Sequence, residues 1–148
     1  MREIAEFIAV LACALFSGAA VYISFVEHPA RMECGTEIAI AEFRPSYRRA
    51  TFLQASLAAL GLLSSAAAWL TGAPVWWLTG GLLLGSVIPF TLIAILPTNK
   101  QLMSESPSLE PAEAMKLLTR WARLHAVRGV LSVLALLLFV YLLVCVKS

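Results

Sequence analysis

Four long apolar stretches, separated by short polar segments, dominate the pattern of this chain. A membrane-spanning helix needs about 20 mostly apolar residues. Runs of about that length cover residues 4–26, 50–70, 75–96 and 126–146, and none has a lysine or arginine in its central part. The pattern predicts an all-α fold. We expect an integral membrane bundle of four antiparallel helices, forming a single domain over residues 1–148.

The connections between the stretches predict how the helices continue. The second and third are joined only by the turn "TGAP", so these two helices must be antiparallel neighbours. Apolar positions recur at helical spacing over residues 117–124, which predicts that the fourth helix extends beyond its span. The segment "TEIAIAEF" before Pro45 is interpreted as a separate short amphipathic piece on the surface. Pro97 is expected to break the third helix.

Composition and charge narrow the class of protein. The chain is 60% hydrophobic and 14% charged, too apolar for a water-soluble domain of this size to bury. The lipid bilayer is therefore the expected surrounding. A net charge of +2 does not favour nucleic acid as a partner. The three cysteines form no metal-ligand or disulfide spacing.

The basic residues are distributed unevenly between the two predicted membrane faces. Nine of the eleven lie in or beside the two long connections, and only Arg2 and Lys147 lie on the opposite side. Lysine and arginine favour cytoplasmic loops. We therefore expect a multi-pass protein of the cell or inner membrane, with both long loops cytoplasmic and both termini together outside.

Polar side chains collect where all four spans meet the charged side. The first span ends in "VEHPAR", the second begins "RPSYRRATFLQ", the third ends "LPTNK" and the fourth begins "WARLHAVRG". Ionisable groups at membrane depth are costly and usually face the bundle interior. The candidate site therefore comprises Glu27, His28, Tyr47, Arg48, Gln54, Asn99, Trp121, His125 and Arg128.

Several of these residues also have a simple structural explanation. Arg48 can reach lipid phosphates, and Asn99 can cap a helix. Tyr47 and Trp121 are typical of interfacial anchors, and Glu27 can pair with an arginine. The two histidines favour a site, because they are the only ones in the chain and both belong to this set.

The four motifs at the ends of the predicted spans, in their order along the chain, resemble the signature segments of the anthrone-oxygenase-like membrane family. The resemblance rests on "VEHPAR", "FRPSYRRATFLQ", "LPTN" and "WARLHAVR", and it covers nearly the whole chain. It implies a four-helix membrane bundle and, for its better-known members, oxidation of anthrones to anthraquinones. Carried over by motif, the polar cluster of the family would be His28, Tyr47, Asn99, His125 and Arg128.

The first functional hypothesis is an oxidoreductase or oxygenase that acts on an apolar aromatic or quinone-like molecule from the bilayer. His125 would be the general base, oriented by Glu27 or Asn99. Arg128 or Tyr47 would stabilise the developing enolate oxygen. The chain has no GxGxxG fingerprint for a nucleotide or flavin.

Two alternatives stay open at this point, and with them the question whether the protein is an enzyme. His28 and His125 could bind haem, or join Glu27 in binding iron or copper. The cluster could instead bind a lipid headgroup or a partner protein without catalysis. The sequence also leaves open a homo-oligomer.

Overall fold

The computed structural model describes residues 1–104 and 110–146, and the elements in these two ranges are helices and turns without a strand. We number four long helices in chain order. They are α1 (Arg2–Glu33), α2 (Thr36–Leu70), α3 (Trp76–Met103) and α4 (Pro111–Cys145). Each is long and apolar enough to cross a membrane. Large apolar side chains such as Phe25, Leu63 and Ile93 point outward, as lipid-facing residues do. The predicted all-α membrane bundle is confirmed.

The helices form a ring in which each packs against its two neighbours. α1 contacts α2 and α4, and α3 contacts α2 and α4, while contacts across the diagonals are few. Neighbouring helices are antiparallel, so both ends of the chain lie at one end of the bundle. We call the opposite end, where α1 meets α2 and α3 approaches α4, the loop end. Lys147, which entered the charge argument, lies outside the described residues.

Two tight turns depend on glycine. Gly35 joins α1 to α2 with φ +89°, and Gly72 follows α2 with φ +96°. Both angles lie in the left-handed region that side chains with a Cβ disfavour. The chain can therefore reverse within a few residues at each end of α2.

The second helix begins fourteen residues before its predicted span. It runs unbroken from Thr36 through Pro45 to Leu70, so the expectation of a separate surface piece was wrong. Proline removes one helical hydrogen bond, but burial outweighs that loss here. Ala39 and Phe43 are each 1% exposed and pack in the core of the loop end.

Prolines shape α1 and α3 without ending them. In α1 the regular helix Arg2–Tyr22 gives way to a π-helical turn, Ile23–Glu27, just before Pro29. In α3 the segments are Trp76–Gly85, Val87–Phe90, a π-helical turn at Thr91–Ile95, and Leu96–Met103. An extra residue in the turn preceding a proline gives room for its ring and for the carbonyl that it leaves unpaired. Pro97 therefore does not break the third helix, and Asn99 lies inside a helix.

Small residues bring α2 and α3 close together. A Cβ on Gly81 would lie 2.5 Å from the Cβ of Ser65, and one on Gly85 would lie 2.9 Å from the Cδ2 of Leu62. Such residues let helices approach within a membrane. Close approach of the two backbones therefore fixes the contact between α2 and α3.

Candidate functional site

An aromatic cluster at the loop end brings together both histidines. The Trp121 ring stacks on His125 with a centroid distance of 4.8 Å and an interplanar angle of 14°. His28 lies 5.4 Å from the same indole, and Phe43 meets it edge-on at 5.1 Å. Trp121 and His125 are one helical turn apart on α4, whereas His28 and Phe43 belong to α1 and α2. Trp121 is thus the centre of a contact among three helices.

A groove between α1 and α4 leads from the lipid-facing surface to these histidines. It has a volume of about 410 Å³ and an almost entirely apolar wall. His28, Trp121 and His125 line its loop end, and exposed side chains line its outer part: Val21, Phe25, Val130 and Leu134. Gly129 also lines this α1–α4 groove, and a Cβ there would meet nothing within 4 Å. The groove has the size and apolar character of a small-molecule pocket.

The histidine nitrogens at the inner wall lack hydrogen-bond partners. His125 is 2% exposed, and neither of its ring nitrogens has a partner among the described residues. The Ala20 carbonyl lies near this ring without the geometry of a hydrogen bond, and it already accepts a bond from Ser24 Oγ at 2.9 Å. Nδ1 of the buried His28 is likewise unpartnered. Because an unsatisfied buried polar group costs about 1–3 kcal/mol, these nitrogens are suited to a bound molecule.

A buried arginine lies one turn further along α4. The Arg128 side chain donates from Nη2 to Oε1 of Gln54 at 2.6 Å, and its guanidinium lies 5.5 Å from the centre of the Phe16 ring. Nε of Arg128 and Nε2 of Gln54 have no partner among the described residues. Arg128 also forms no ion pair with any carboxylate in that part of the chain. Two unused donors beside a positive charge that has no ion pair within the described ranges are the arrangement that binding of an oxyanion requires.

A small polar cavity connects the histidine to the arginine. It has a volume of about 20 Å³, and His125, Arg128 and Gln54 line it together with Trp121 and Tyr47. The Tyr47 ring stacks on Phe43 at 5.7 Å. His125 and Arg128 are three residues apart on α4, a spacing that puts them on one helix face. The structure therefore brings six predicted residues to this cavity: Glu27, Tyr47, Gln54, Trp121, His125 and Arg128.

Glu27 belongs to a different network from the one expected. Its Oε1 accepts hydrogen bonds from Arg31 Nη2 at 2.5 Å and from Ser46 Oγ at 2.8 Å. Arg31, which is 6% exposed, also pairs through Nε with Glu42. The expectation that Glu27 orients His125 is therefore not met. Pairing of Glu27 with an arginine was one of the explanations that the sequence left open, and the i, i+4 spacing identifies Arg31 as that arginine.

Two other predicted residues lie apart from the histidine–arginine pair. Asn99 is 1% exposed with both polar side-chain atoms unpartnered, and it lines none of the cavities described here. It shares a helix face with Ile95 and Leu102, which pack into the loop-end core. Arg48 is exposed at the surface, as a residue that reaches lipid phosphates would be.

Metal coordination at the histidines stays a prediction. Within the described ranges, no group of three or more His, Cys, Asp or Glu side chains is arranged to hold a metal ion. His28 and His125 line one groove, but Glu27, the expected third ligand, is engaged by Arg31. Haem coordination through the two histidines alone is left untested by this arrangement.

Comparison with known families gives a match. The sequence model described as anthrone oxygenase matches residues 43–138, which are 96 of the 148 residues. The matched region contains Tyr47, Gln54, Asn99, Trp121, His125 and Arg128, while Glu27 and His28 precede it. Comparison with curated proteins and with solved structures gives no match to either. The family match extends over more than half of a four-helix membrane protein, and the chain therefore belongs to the anthrone oxygenase family.

Proposed function

We propose that this protein is a membrane oxygenase that converts the acidic CH₂ carbon of an anthrone-type aromatic ketone into a quinone carbonyl. The observation that carries the proposal is the environment of His125. Among the described residues, both of its ring nitrogens lack hydrogen-bond partners at the inner end of an apolar groove, and the neighbouring Arg128 forms no ion pair with a carboxylate. A base next to a preformed oxyanion site is what removal of a proton α or conjugate to a carbonyl requires.

The substrate class follows from the groove. A flat, apolar ring system dissolves in the bilayer and can enter between α1 and α4 without crossing water. The exposed outer wall at Phe25 and Val130 supports this lateral route. Trp121 and His125 line the inner end and offer aromatic contacts to such a ring. Gly129 leaves room where a larger residue would fill the groove.

The first half of the reaction makes a carbanion. His125 removes one proton from the CH₂ carbon, and the electron pair delocalises to the carbonyl oxygen. Arg128 and the free amide of Gln54 donate hydrogen bonds to that oxygen. Dioxygen is the oxidant. It takes one electron from the carbanion to give superoxide, and the two radicals combine to form the C–O bond of a peroxide.

The second half of the reaction releases water. The proton held by His125 passes to the outer peroxide oxygen. His125 then removes the remaining hydrogen from the same carbon, the carbonyl forms, and the O–O bond breaks. The departing hydroxide takes that proton and leaves as water. One oxygen atom of dioxygen ends in the quinone and the other in water, so no external reductant is needed.

We further propose that the loop end faces the cytoplasm and that both termini lie outside. The clustering of Arg44, Arg48, Arg49, Arg120 and Arg123 at the loop end supports this orientation. In this arrangement the site lies near the cytoplasmic face of the bilayer.

The test is quinone formation by the full-length protein in lipid nanodiscs, given anthrone and ¹⁸O₂. We expect anthraquinone that carries one ¹⁸O, at a rate above that of protein-free nanodiscs. The rate of the His125→Ala variant should be lower than that of the wild type by a factor of about 10²–10⁴. The rate of His28→Ala should fall by a smaller factor. Equal rates with and without protein, or an unchanged rate in His125→Ala, would overturn the proposal in favour of a binding role.

A further inference from the structure

A second groove lies on the opposite side of the bundle from the first. It runs between α2 and α3, whereas the larger groove runs between α1 and α4, and the four helices form a ring. Its volume is about 110 Å³. The residues that line it are mostly small or aliphatic: Ala55, Ala58, Val87, Ile88 and Leu92, with Thr51, Thr91 and Phe16.

This α2–α3 groove connects the lipid-facing surface to the oxyanion site. Ala55 and Leu92 are exposed at its outer part. Arg128 and Gln54 line its inner part, and both also line the polar cavity beside His125. The two grooves therefore approach the same small cavity from opposite faces. The α2–α3 groove meets it at Arg128 and Gln54, and the α1–α4 groove meets it at Trp121 and His125.

The size and lining of this groove restrict what it can admit. Pockets for ring-containing ligands usually measure about 300–1,000 Å³, so this groove is too small for an aromatic substrate. A water molecule needs two to four polar partners, and the aliphatic stretch between the surface and Arg128 offers few. A small apolar molecule that dissolves in lipid matches both constraints.

We propose that the α2–α3 groove is the route by which dioxygen reaches the site, separate from the substrate route between α1 and α4. This inference rests on the proposed oxygenase function. Ala55 and Leu92 lie at its outer opening. At its inner end lies Arg128, whose hydrogen bonds hold the substrate carbonyl oxygen and whose positive charge also attracts the reduced dioxygen.

The position of Arg128 gives this route a chemical purpose. When the substrate carbanion transfers one electron, dioxygen becomes superoxide, and the C–O bond then forms at peroxide level. Each of these species is an anion that a guanidinium stabilises. Dioxygen arriving from the α2–α3 side meets the positive charge without displacing the ring substrate from the opposite groove.

The experiment narrows each groove separately and measures how the reaction rate depends on dioxygen and on anthrone. Ala55→Phe narrows the α2–α3 groove, and Ala67→Phe is its control, because Ala67 is exposed on the same helix and lines none of the described grooves. Gly129→Leu narrows the α1–α4 groove. Gly18→Leu is the matched control, because a Cβ at the exposed Gly18 also meets nothing within 4 Å. Initial rates are measured in nanodiscs at varied dioxygen and varied anthrone concentrations.

We expect a crossed result. Ala55→Phe should lower kcat/KM for dioxygen by about tenfold, equivalent to about 1.4 kcal/mol, with KM for anthrone unchanged. Gly129→Leu should raise KM for anthrone and leave kcat/KM for dioxygen intact. Both controls should match the wild type. Anaerobic exchange of the anthrone CH₂ hydrogens with deuterated water should be normal in Ala55→Phe, which verifies an intact site.

The outcomes separate this inference from the proposed function. Normal turnover of Ala55→Phe with an unchanged dioxygen dependence overturns the route and leaves the oxygenase standing. Absence of turnover in the wild type overturns both. If Ala55→Phe loses anaerobic exchange, its site is damaged, and Leu92→Trp at the same opening takes its place. A raised KM for anthrone in the α2–α3 variants would assign this groove to the aromatic substrate instead.

Discussion

Replacement of Arg128 by methionine should separate catalysis from stability. Arg128 is 9% exposed, and its polar contacts among the described residues are one hydrogen bond to Gln54 and one contact with the Phe16 ring. The hydrogen bond contributes about 1.5–3 kcal/mol and the ring contact about 0.5–2 kcal/mol. Against these stands the desolvation of an unpaired cation, which costs several kcal/mol. The two sides nearly cancel, so Arg128→Met should change the free energy of unfolding by about 1 kcal/mol or less.

The catalytic effect of the same change should be large. Removal of one donor from an oxyanion site costs about 10²–10³ in kcat, or about 2.7–4 kcal/mol. The assay measures kcat for anthrone oxidation and the midpoint of SDS-induced unfolding in the same preparation. Adding Gln54→Leu removes the orphaned amide, so the double variant should unfold at an SDS concentration at least as high as the single one.

Arg31→Met is the matched control for this prediction. Arg31 is similarly buried, but it pairs with Glu27 and Glu42. Loss of a fully buried pair costs about 3–5 kcal/mol, and the carboxylates here are 27% and 44% exposed. We therefore expect Arg31→Met to lower the unfolding free energy by about 1–3 kcal/mol. If Arg128→Met proves less stable than Arg31→Met, or keeps wild-type kcat, the assignment of Arg128 as an uncompensated oxyanion donor is wrong.

Two further predictions concern cofactor content and topology. Because the proposed base needs a free ring nitrogen, the protein purified in mild detergent should contain no stoichiometric haem or transition metal by optical spectrum and elemental analysis. A centre that is lost in both His28→Ala and His125→Ala would replace the base mechanism with a redox one. Cys34 and Cys145 are both exposed and lie at opposite ends of the bundle. Two single-cysteine variants, one keeping Cys145 and one keeping Cys34, are treated with a membrane-impermeant thiol reagent. Cys145 should be labelled on intact cells, and Cys34 only after the cells are permeabilised. The reverse labelling pattern would invert the proposed orientation.

The architecture could be predicted from the sequence because membrane spans leave a strong local signal. Backbone groups in lipid must be satisfied within the helix, so a long apolar run has few alternatives. The prolines were harder to interpret. Pro97 was expected to break the third helix, and the segment before Pro45 was expected to be a separate surface piece, but α3 and α2 continue through these prolines. Burial of Phe43, which depends on contacts distant in the sequence, and a π-helical turn before Pro97 decided the outcome.

The sequence was enough to predict which residues belong to the candidate site, but not which of their side chains pair with each other. Helical spacing places Trp121, His125 and Arg128 on one face, and the structure adds Gln54 as the hydrogen-bond partner of Arg128. Spacing does not indicate which carboxylate meets which base. Glu27 or Asn99 was expected to orient His125. Glu27 lines the same cavity as His125 but pairs with Arg31, because a residue four positions away on the same helix is the nearer partner.

Proton removal by His125 is the central claim, and it can be measured without oxygen. The measurement uses deuterated water without dioxygen. Anthrone should exchange its CH₂ hydrogens faster in nanodiscs that contain the wild-type protein than in protein-free nanodiscs. The His125→Ala variant should exchange at the protein-free rate, and His28→Ala should stay close to the wild type. Wild-type exchange in His125→Ala would contradict the account, because the base would then be another group.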